Sequence, residues 1–137
     1  MARILAIDFG LKRAGIAVTD PLKIIATGLQ TIESSQLLSF LSDYFRKEKV
    51  ECIVVGNPKN LDNTPSEISK EVEMLIKELK EKFPDKKIEK VDERFTSSIA
   101  QQVIYHSGLK KKDRRNKSLI DKISAVLILQ TYLDSQQ

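Results

Sequence analysis

The chain has 137 residues, with 23 Lys and Arg against 19 Asp and Glu, and its formal net charge is +4. This length is too short for a two-domain enzyme, so we expect a single domain over residues 1–137. Hydrophobic residues make up 41% and charged residues 31%, a balance that excludes a disordered chain. No apolar run reaches the roughly 18 residues of a membrane span and no signal-peptide pattern is present, so we expect neither membrane insertion nor secretion. A single cysteine, Cys52, leaves no internal disulfide and favours a reduced, cytoplasmic setting.

Three apolar runs at the start of the chain predict an antiparallel meander. Residues 3–9 form a strand-like run that Gly10 ends, and the pattern resumes over residues 14–19, a spacing typical of a hairpin. A third run, residues 24–32, follows the Asp20-Pro21 turn and extends the hairpin by one strand.

The rest of the chain alternates between helix and strand, which predicts parallel strands joined by crossovers. Ser34 or Ser35 is expected to cap the first helix, which has an apolar face at helical spacing: Leu37, Leu38, Leu41, Tyr44 and Phe45. The later predicted elements are a strand over 50–55, a helix over 66–83, a strand over 87–91, and helices over 96–106 and from 118 to about 133. The order β-β-β-α-β-α-β-α-α indicates an α/β fold with a mixed five-stranded sheet flanked by helices.

Two acids stand at strand ends, where they suggest a site. Asp8 ends an almost wholly apolar strand, although it could simply start the turn that follows. Glu93 follows the fifth strand, at the carboxyl end where open α/β sheets place ligands. The neighbouring Asp92 is better interpreted as a partner of Arg94 or as part of a helix cap.

A third acid, Asp121, falls on the apolar stripe of the last predicted helix. Its side of the helix, at 100° per residue, is small and apolar: Ser124, Ala125, Ile128 and Tyr132. A carboxylate on a stripe that packs against a sheet must be paired or bind a metal ion. The alternatives are a capping-box acid three residues after Ser118, and an ion pair with Lys117 or Lys122.

The excess positive charge is concentrated in residues 109–117. This segment holds one anion, Asp113, and six cations, so its net charge is +5 and the rest of the chain sums to −1. The six cations are Lys110, Lys111, Lys112, Arg114, Arg115 and Lys117. Such a segment could bind a polyanion, and a solvated connector between two helices is the alternative.

The residues that other catalytic sites need are missing from the sequence. The single histidine, His106, is expected on the surface near a helix end, there is no His/Cys cluster for zinc, and the five glycines are too scattered for a phosphate-binding loop. An all-oxygen site built from carboxylates remains. Such a site suits Mg²⁺ or Mn²⁺, which support phosphodiester hydrolysis.

Four segments carry a resemblance to a known family. They are AIDFGLKRAGIA at 6–17, VGNP at 55–58, DERFTS at 92–97 and IDKISAVLIL at 120–129. In order, spacing and total length they resemble the signature regions of the YqgF family, over essentially the whole chain. The resemblance implies a ribonuclease H-like fold and a nuclease that acts on pre-16S rRNA or, in an older assignment, on Holliday junctions. One departure is Asn63 after Asp62, where the family usually has a glycine.

Carried over by motif, the family's catalytic and metal-binding acids fall on Asp8, Glu93 and Asp121. The resemblance therefore implies an enzyme that uses Mg²⁺ or Mn²⁺ to process the 5′ end of pre-16S rRNA. The basic segment is expected to contact nucleic acid, and so are the cations nearest the motif acids: Lys12, Arg13 and Arg94. The alternatives are a resolvase acting on branched DNA and a non-catalytic nucleic-acid-binding module. An actin-like ATPase is disfavoured, because its nucleotide cleft needs two domains.

Overall fold

The structure is a computed structural model that describes residues 2–57, 68–92 and 117–136. Its strands are β1 (Arg3–Phe9), β2 (Arg13–Thr19), β3 (Ala26–Glu33), β4 (Val50–Asn57) and β5 (Lys87–Asp92). Its helices are α1 (Leu37–Lys47), α2 (Ser69–Lys82) and α3 (Lys117–Ser135), and a short 3₁₀ turn (Ser34–Gln36) precedes α1. The predicted helix over 96–106 and the predicted start of α2 at Ser66 lie outside the described residues.

The five strands form one mixed sheet in the order β3-β2-β1-β4-β5. The hairpins β1–β2 and β2–β3 are antiparallel, whereas β4 runs parallel to both β1 and β5. The predicted meander followed by parallel crossovers is confirmed, and with it the mixed five-stranded α/β fold. Among the described residues, no helix combines the length and the apolarity needed to cross a membrane.

Helices cover both faces of this sheet, and the side chains on the two faces differ in size. Under α1 and α2 the buried side chains are mostly large: Leu5, Ile7, Ile16, Ile53, Leu41 and Leu79. Under α3 several of them are small: Ala6, Ala17, Cys52 and Ala125. The apolar stripes predicted for α1 and α3 are the ones that face the sheet.

The small residues allow α3 to lie very close to β2 and β3. A Cβ atom added at Gly15 on β2 would overlap the backbone carbonyl of Asp121, and one added at Gly28 on β3 would lie 2.7 Å from Cγ of Lys122. No side chain larger than hydrogen fits at Gly15 unless the helix moves. This contact fixes the first turns of α3 against the middle of the sheet.

The turn between β2 and β3 explains why β3 begins at Ala26 and not, as predicted, at Ile24. The carboxylate of Asp20 accepts hydrogen bonds from the backbone N–H groups of Leu22, Ile24 and Ile25, at 3.1, 2.8 and 2.8 Å. Lys23 takes a left-handed conformation with φ of 61°. These bonds keep both isoleucines in the turn, where they are more than 60% exposed. Apolarity alone predicted a strand there, but the aspartate-centred turn determines the conformation.

The predicted serine cap of α1 is wrong. The helix begins at Leu37, and its capping position, Gln36, makes no side-chain hydrogen bond to the helix. The Ser34 hydroxyl instead donates to the carbonyl of Gly10 at 2.6 Å, and the Ser34 N–H donates to the carbonyl of Lys12 at 2.9 Å. Ser34 therefore ties the start of α1 to the β1–β2 hairpin.

Candidate active site at the carboxyl edge of the sheet

Asp8 lies near the end of β1 on the face that α3 covers. It follows Ile4 and Ala6 along that face and is half-buried. In the antiparallel pairing with β2 its partner is Gly15. Because β1, β4 and β5 are parallel and Ile7 pairs with Val55, the ends of all three strands meet at the same edge, next to Asp8. This is the edge at which α/β sheets place their sites.

Asp121 comes to the same place from α3. It continues the stripe that packs on the sheet, as predicted: Ser124, Ala125 and Ile128 are at most 2% exposed, and Tyr132 is 8% exposed. Its backbone carbonyl lies against Gly15. Gly15 is therefore in contact with Asp121 on one side and paired with Asp8 on the other. The structure brings together two of the three predicted acids, which are 113 residues apart in the chain.

The ion-pair partner of Asp121 is Arg13, the first residue of β2. The Arg13 Nε–H donates to Oδ2 of Asp121 at 3.1 Å, and their side chains are 36% and 26% exposed. The sequence suggested Lys117 or Lys122 as the partner. For Lys122 this is wrong, since its methylene groups lie against Gly28 on β3. A partner 108 residues away could not be found from local spacing.

The turn of the β1–β2 hairpin, between Asp8 and Arg13, is closed by a backbone hydrogen bond. The Gly10 N–H donates to the carbonyl of Arg13 at 2.9 Å, and a Cβ at Gly10 would lie 2.8 Å from that same oxygen. A side chain at Gly10 would therefore clash with the hairpin's own backbone. At the tip, Lys12 is exposed and Leu11 is 70% exposed.

Of the remaining predicted site residues, the structure describes only Lys117. Those outside the described residues are Glu93, Arg94, Lys110, Lys111, Lys112, Arg114 and Arg115, together with the Asp62-Asn63 departure and His106. Lys117 is the first residue of α3. Within residues 2–57, 68–92 and 117–136, no cluster of three His, Cys, Asp or Glu side chains could hold a metal ion.

The residue that sequence reasoning missed is Gly15. It lies inside a strand, and it joins the two acids through its backbone contacts. A glycine in the interior of a strand is a known signal of close backbone approach. That signal was present in the sequence, but it did not say which element would approach.

A second candidate region lies at the opposite, amino edge of the sheet. A cleft of about 470 Å³ opens there between the start of β4 and the end of α3. In its wall the Cys52 thiol lies 3.9 Å from the hydroxyl oxygen of Tyr132. Burial raises the pKa of the Cys52 thiol and raises the pKa of Tyr132 to about 12. Because a thiol nucleophile must be ionised, a raised pKa argues against a catalytic role for Cys52 at neutral pH.

Comparison with known proteins assigns the chain to a family. A family model described as "RuvX: Holliday junction resolvase" matches residues 2–135. The chain belongs to the RuvX/YqgF family. The family that the four signature segments indicated, and the nuclease class that it implies, are thereby confirmed.

Individual proteins are similar over the whole length. A protein of Christiangramia forsetii named "Putative pre-16S rRNA nuclease" is 55% identical over 133 residues, covering 97% of this chain and 98% of that protein. A Bacteroides thetaiotaomicron protein of the same name is 52% identical over 137 residues, covering 100% of this chain and 99% of that protein. Among solved structures, YeaZ from Pseudomonas aeruginosa is similar with a TM-score of 0.48 and 14% identity, and the match covers 79% of this chain and 50% of that one.

Proposed function

We propose that this protein is a metal-dependent nuclease that processes the 5′ end of pre-16S rRNA in the bacterial cytoplasm. One observation carries the proposal: Asp8 on β1 and Asp121 on α3 flank the same residue, Gly15, at the edge where parallel strands end. Two carboxylates that face nucleic acid repel its phosphates, so binding alone gives no reason to place them there. The names of the two relatives, which share 55% and 52% of their residues with this chain, support the choice of pre-16S rRNA.

The donor chemistry at this edge fits Mg²⁺ or Mn²⁺. Asp8 and Asp121 offer only carboxylate oxygens, and the next residue along the chain after β5 is a third acid, Glu93. Oxygen ligands without nitrogen or sulfur favour these hard cations. We propose that Asp8, Glu93 and Asp121 hold one or two such ions, which would activate water and stabilise the leaving oxygen of a phosphodiester.

Cations near the acids would bind the nucleic-acid backbone. Lys12 lies at the exposed tip of the β1–β2 hairpin, and Arg13 lies beside Asp121 with its side chain one-third exposed. Arg94 follows Glu93 directly in sequence. The basic segment 109–117 ends where α3 begins, four residues before Asp121. We propose that it supplies most of the sequence-independent affinity.

Two substrates compete, because the family description names Holliday junctions and the relatives' names specify pre-16S rRNA. A junction resolvase makes two symmetric cuts and needs a two-fold surface, which a dimer provides. One short basic segment on a 15.6 kDa chain suits a single strand. We therefore favour RNA.

A cleavage assay with paired substrates tests this choice. Purified protein with Mg²⁺ or Mn²⁺ is incubated with an RNA that carries the extended 5′ end of 16S rRNA and, in parallel, with a synthetic four-way DNA junction. We expect the RNA to be shortened, the junction to remain intact and chelation of the metal to stop the reaction. Symmetric cuts in the junction with intact RNA would identify a resolvase instead, and binding without cleavage of either would identify a non-catalytic module. In cells, depletion should cause 16S precursors extended at the 5′ end to accumulate.

The basic segment is tested by its salt dependence. Replacement of Lys110, Lys111 and Lys112 by Gln should weaken RNA binding and flatten the log–log dependence of affinity on salt by roughly 2, since each phosphate contact on a single strand contributes about 0.7. The matched control replaces three exposed lysines on α2: Lys70, Lys77 and Lys80. Equal slopes in the two triple variants would identify the segment as a solvated connector.

A further inference from the structure

Arg13 is placed to do more than contact a phosphate. Its Cα is fixed by the hairpin, because its carbonyl accepts the Gly10 N–H and the next residue, Ala14, pairs with Phe9. Its side chain lies on the α3 face of the sheet, as Gly15 and Ala17 do, and reaches Asp121 from there. A cation is therefore held against one of the two described acids of the candidate site.

Within the part of the chain that the structure describes, the contact uses only part of each group. A tight arginine–carboxylate pair forms two parallel hydrogen bonds. Here the bond runs from Nε of Arg13 to Oδ2 of Asp121 at 3.1 Å, and within residues 2–57, 68–92 and 117–136 this guanidinium makes no other hydrogen bond. Both side chains are about one-third exposed, and ion pairs with such exposure are weak. The hydrogen bond sets the direction of the carboxylate, and its exposure leaves the pair weak enough to be exchanged.

We propose that Arg13 is a built-in counter-ion of Asp121 that competes with the divalent cation for this carboxylate. This inference depends on the proposed function, because it assigns Asp121 to the metal site. Without a metal ion, Arg13 neutralises and orients Asp121. When a divalent cation binds, Arg13 gives up the Oδ2 contact, and its guanidinium becomes available to a substrate phosphate at the same edge of the sheet. Arg13 is then a positioning residue that links loading of the site to substrate binding.

The affinity for Mn²⁺ alone tests this inference, because it requires neither substrate nor turnover. The dissociation constant is measured by titration calorimetry at fixed pH and ionic strength. Arg13→Gln should bind Mn²⁺ roughly sixfold to tenfold more tightly than the unmodified protein, as Coulomb's law gives for removal of a unit charge some 6–8 Å from a divalent ion in water-like surroundings. Arg13→Lys, which retains the charge, should stay within about twofold.

Two controls make each outcome interpretable. Arg46→Gln removes an arginine that is hydrogen-bonded to an aspartate, Asp43, on the exposed surface of α1, and it should leave the Mn²⁺ affinity unchanged. Asp121→Asn should weaken the affinity by at least about tenfold, and if it does not, the metal site itself is misassigned. If Asp121→Asn weakens binding while Arg13→Gln leaves it unchanged or weaker, Arg13 is a structural or supporting residue and the inference is overturned. Circular dichroism checks that each variant is folded.

Discussion

The two faces of the sheet pack against their helices in different ways. On the α1 and α2 face, large branched side chains interdigitate, and Leu5, Ile53 and Leu79 are fully buried. On the α3 face, glycine and alanine let the helix backbone contact the strands directly, above all at Gly15. A layer of large side chains contributes more buried apolar area, whereas backbone contact fixes the position of a helix more tightly. Asp8 and Asp121, the two described acids of the candidate site, lie on the face that fixes the position of its helix.

The largest expected effect on cleavage comes from the three acids that we propose as metal ligands. Asp8→Asn, Asp121→Asn and Glu93→Gln should each lower the cleavage rate by at least about 10³-fold, because metal-ion catalysis is worth several kcal/mol of transition-state stabilisation. Fold and RNA affinity should be retained. Asp43→Asn, the same substitution on the exposed surface of α1, should leave the rate unchanged. Near-normal turnover of any one variant at saturating Mg²⁺ would remove that residue from the site.

A smaller effect is expected at the two glycines under α3, which form a matched pair. Gly15→Ala places a methyl group against the backbone carbonyl of Asp121, which cannot move unless the helix moves, whereas Gly28→Ala meets the flexible side chain of Lys122. Gly15→Ala should lower the rate by about 10²-fold, the effect of a displacement near 1 Å, and lower the free energy of unfolding by about 1–3 kcal/mol.

Gly28→Ala should lower the cleavage rate and the free energy of unfolding by less than Gly15→Ala does, since the lysine methylenes can rotate away. Cleavage assays and urea unfolding of the two variants measure these two losses. Equal losses would mean that contact with the helix backbone at Gly15 has no special role in holding Asp121.

The sequence predicted the parts of this arrangement that depend on local patterns. The apolar run over residues 3–9 has the same bounds as β1, and the stripe through Asp121 and Ile128 is the one that faces the sheet. The family resemblance selected Asp8, Glu93 and Asp121, and the structure brings together the two of them that it describes. Periodicity determines which face of a helix is buried, and motif order supplies the identity of the acids.

The sequence did not predict features that depend on long-range contacts or on side-chain competition. The Arg13–Asp121 pair joins residues 108 positions apart, and no local rule favours it over the neighbouring lysines. Ser34 resembles a helix cap, but its hydroxyl binds the carbonyl of Gly10, which becomes its neighbour only in the folded chain. Ile24 and Ile25 resemble the start of a strand, but their N–H groups are bound by the carboxylate of Asp20. In each case a polar side chain binds a group that only the folded structure brings within reach.

The face under α1 and α2 should respond in the opposite way to the α3 face. Leu79→Ala removes a fully buried side chain and should lower the free energy of unfolding by about 2–5 kcal/mol. The rate per folded molecule should change by less than about twofold, because the cavity lies on the other side of the sheet from Asp8 and Asp121. Urea unfolding gives the first quantity, and the rate corrected for the folded fraction gives the second. A large loss of specific rate would show that packing on this face also positions the site.

The smallest expected effect is on the free energy of unfolding at high pH. It is tested by comparing one tyrosine from each face of the sheet. Burial raises the pKa of Tyr132, on α3, to about 12, and burial also raises the pKa of Tyr44, on α1. Between the ordinary value of 10 and 12, the folded protein retains the Tyr132 proton while the unfolded chain loses it. The contribution of this retained proton to the free energy of unfolding is fully present below pH 10 and is lost as the pH rises from 10 to 12.

Tyr132→Phe should therefore flatten the fall of unfolding free energy across this interval more than Tyr44→Phe does, because the phenol of Tyr132 lies in the tightly packed α3 layer, next to Cys52. Ultraviolet titration of tyrosinate in the folded protein, together with urea unfolding of both variants at several pH values, measures the difference. If Tyr44→Phe flattens the pH dependence of the unfolding free energy as much, the phenol of Tyr132 is packed no more tightly than that of Tyr44. The close packing of α3 then ends before the amino edge of the sheet. Tight contact would then be confined to the part of the helix near Gly15, where it holds Asp121.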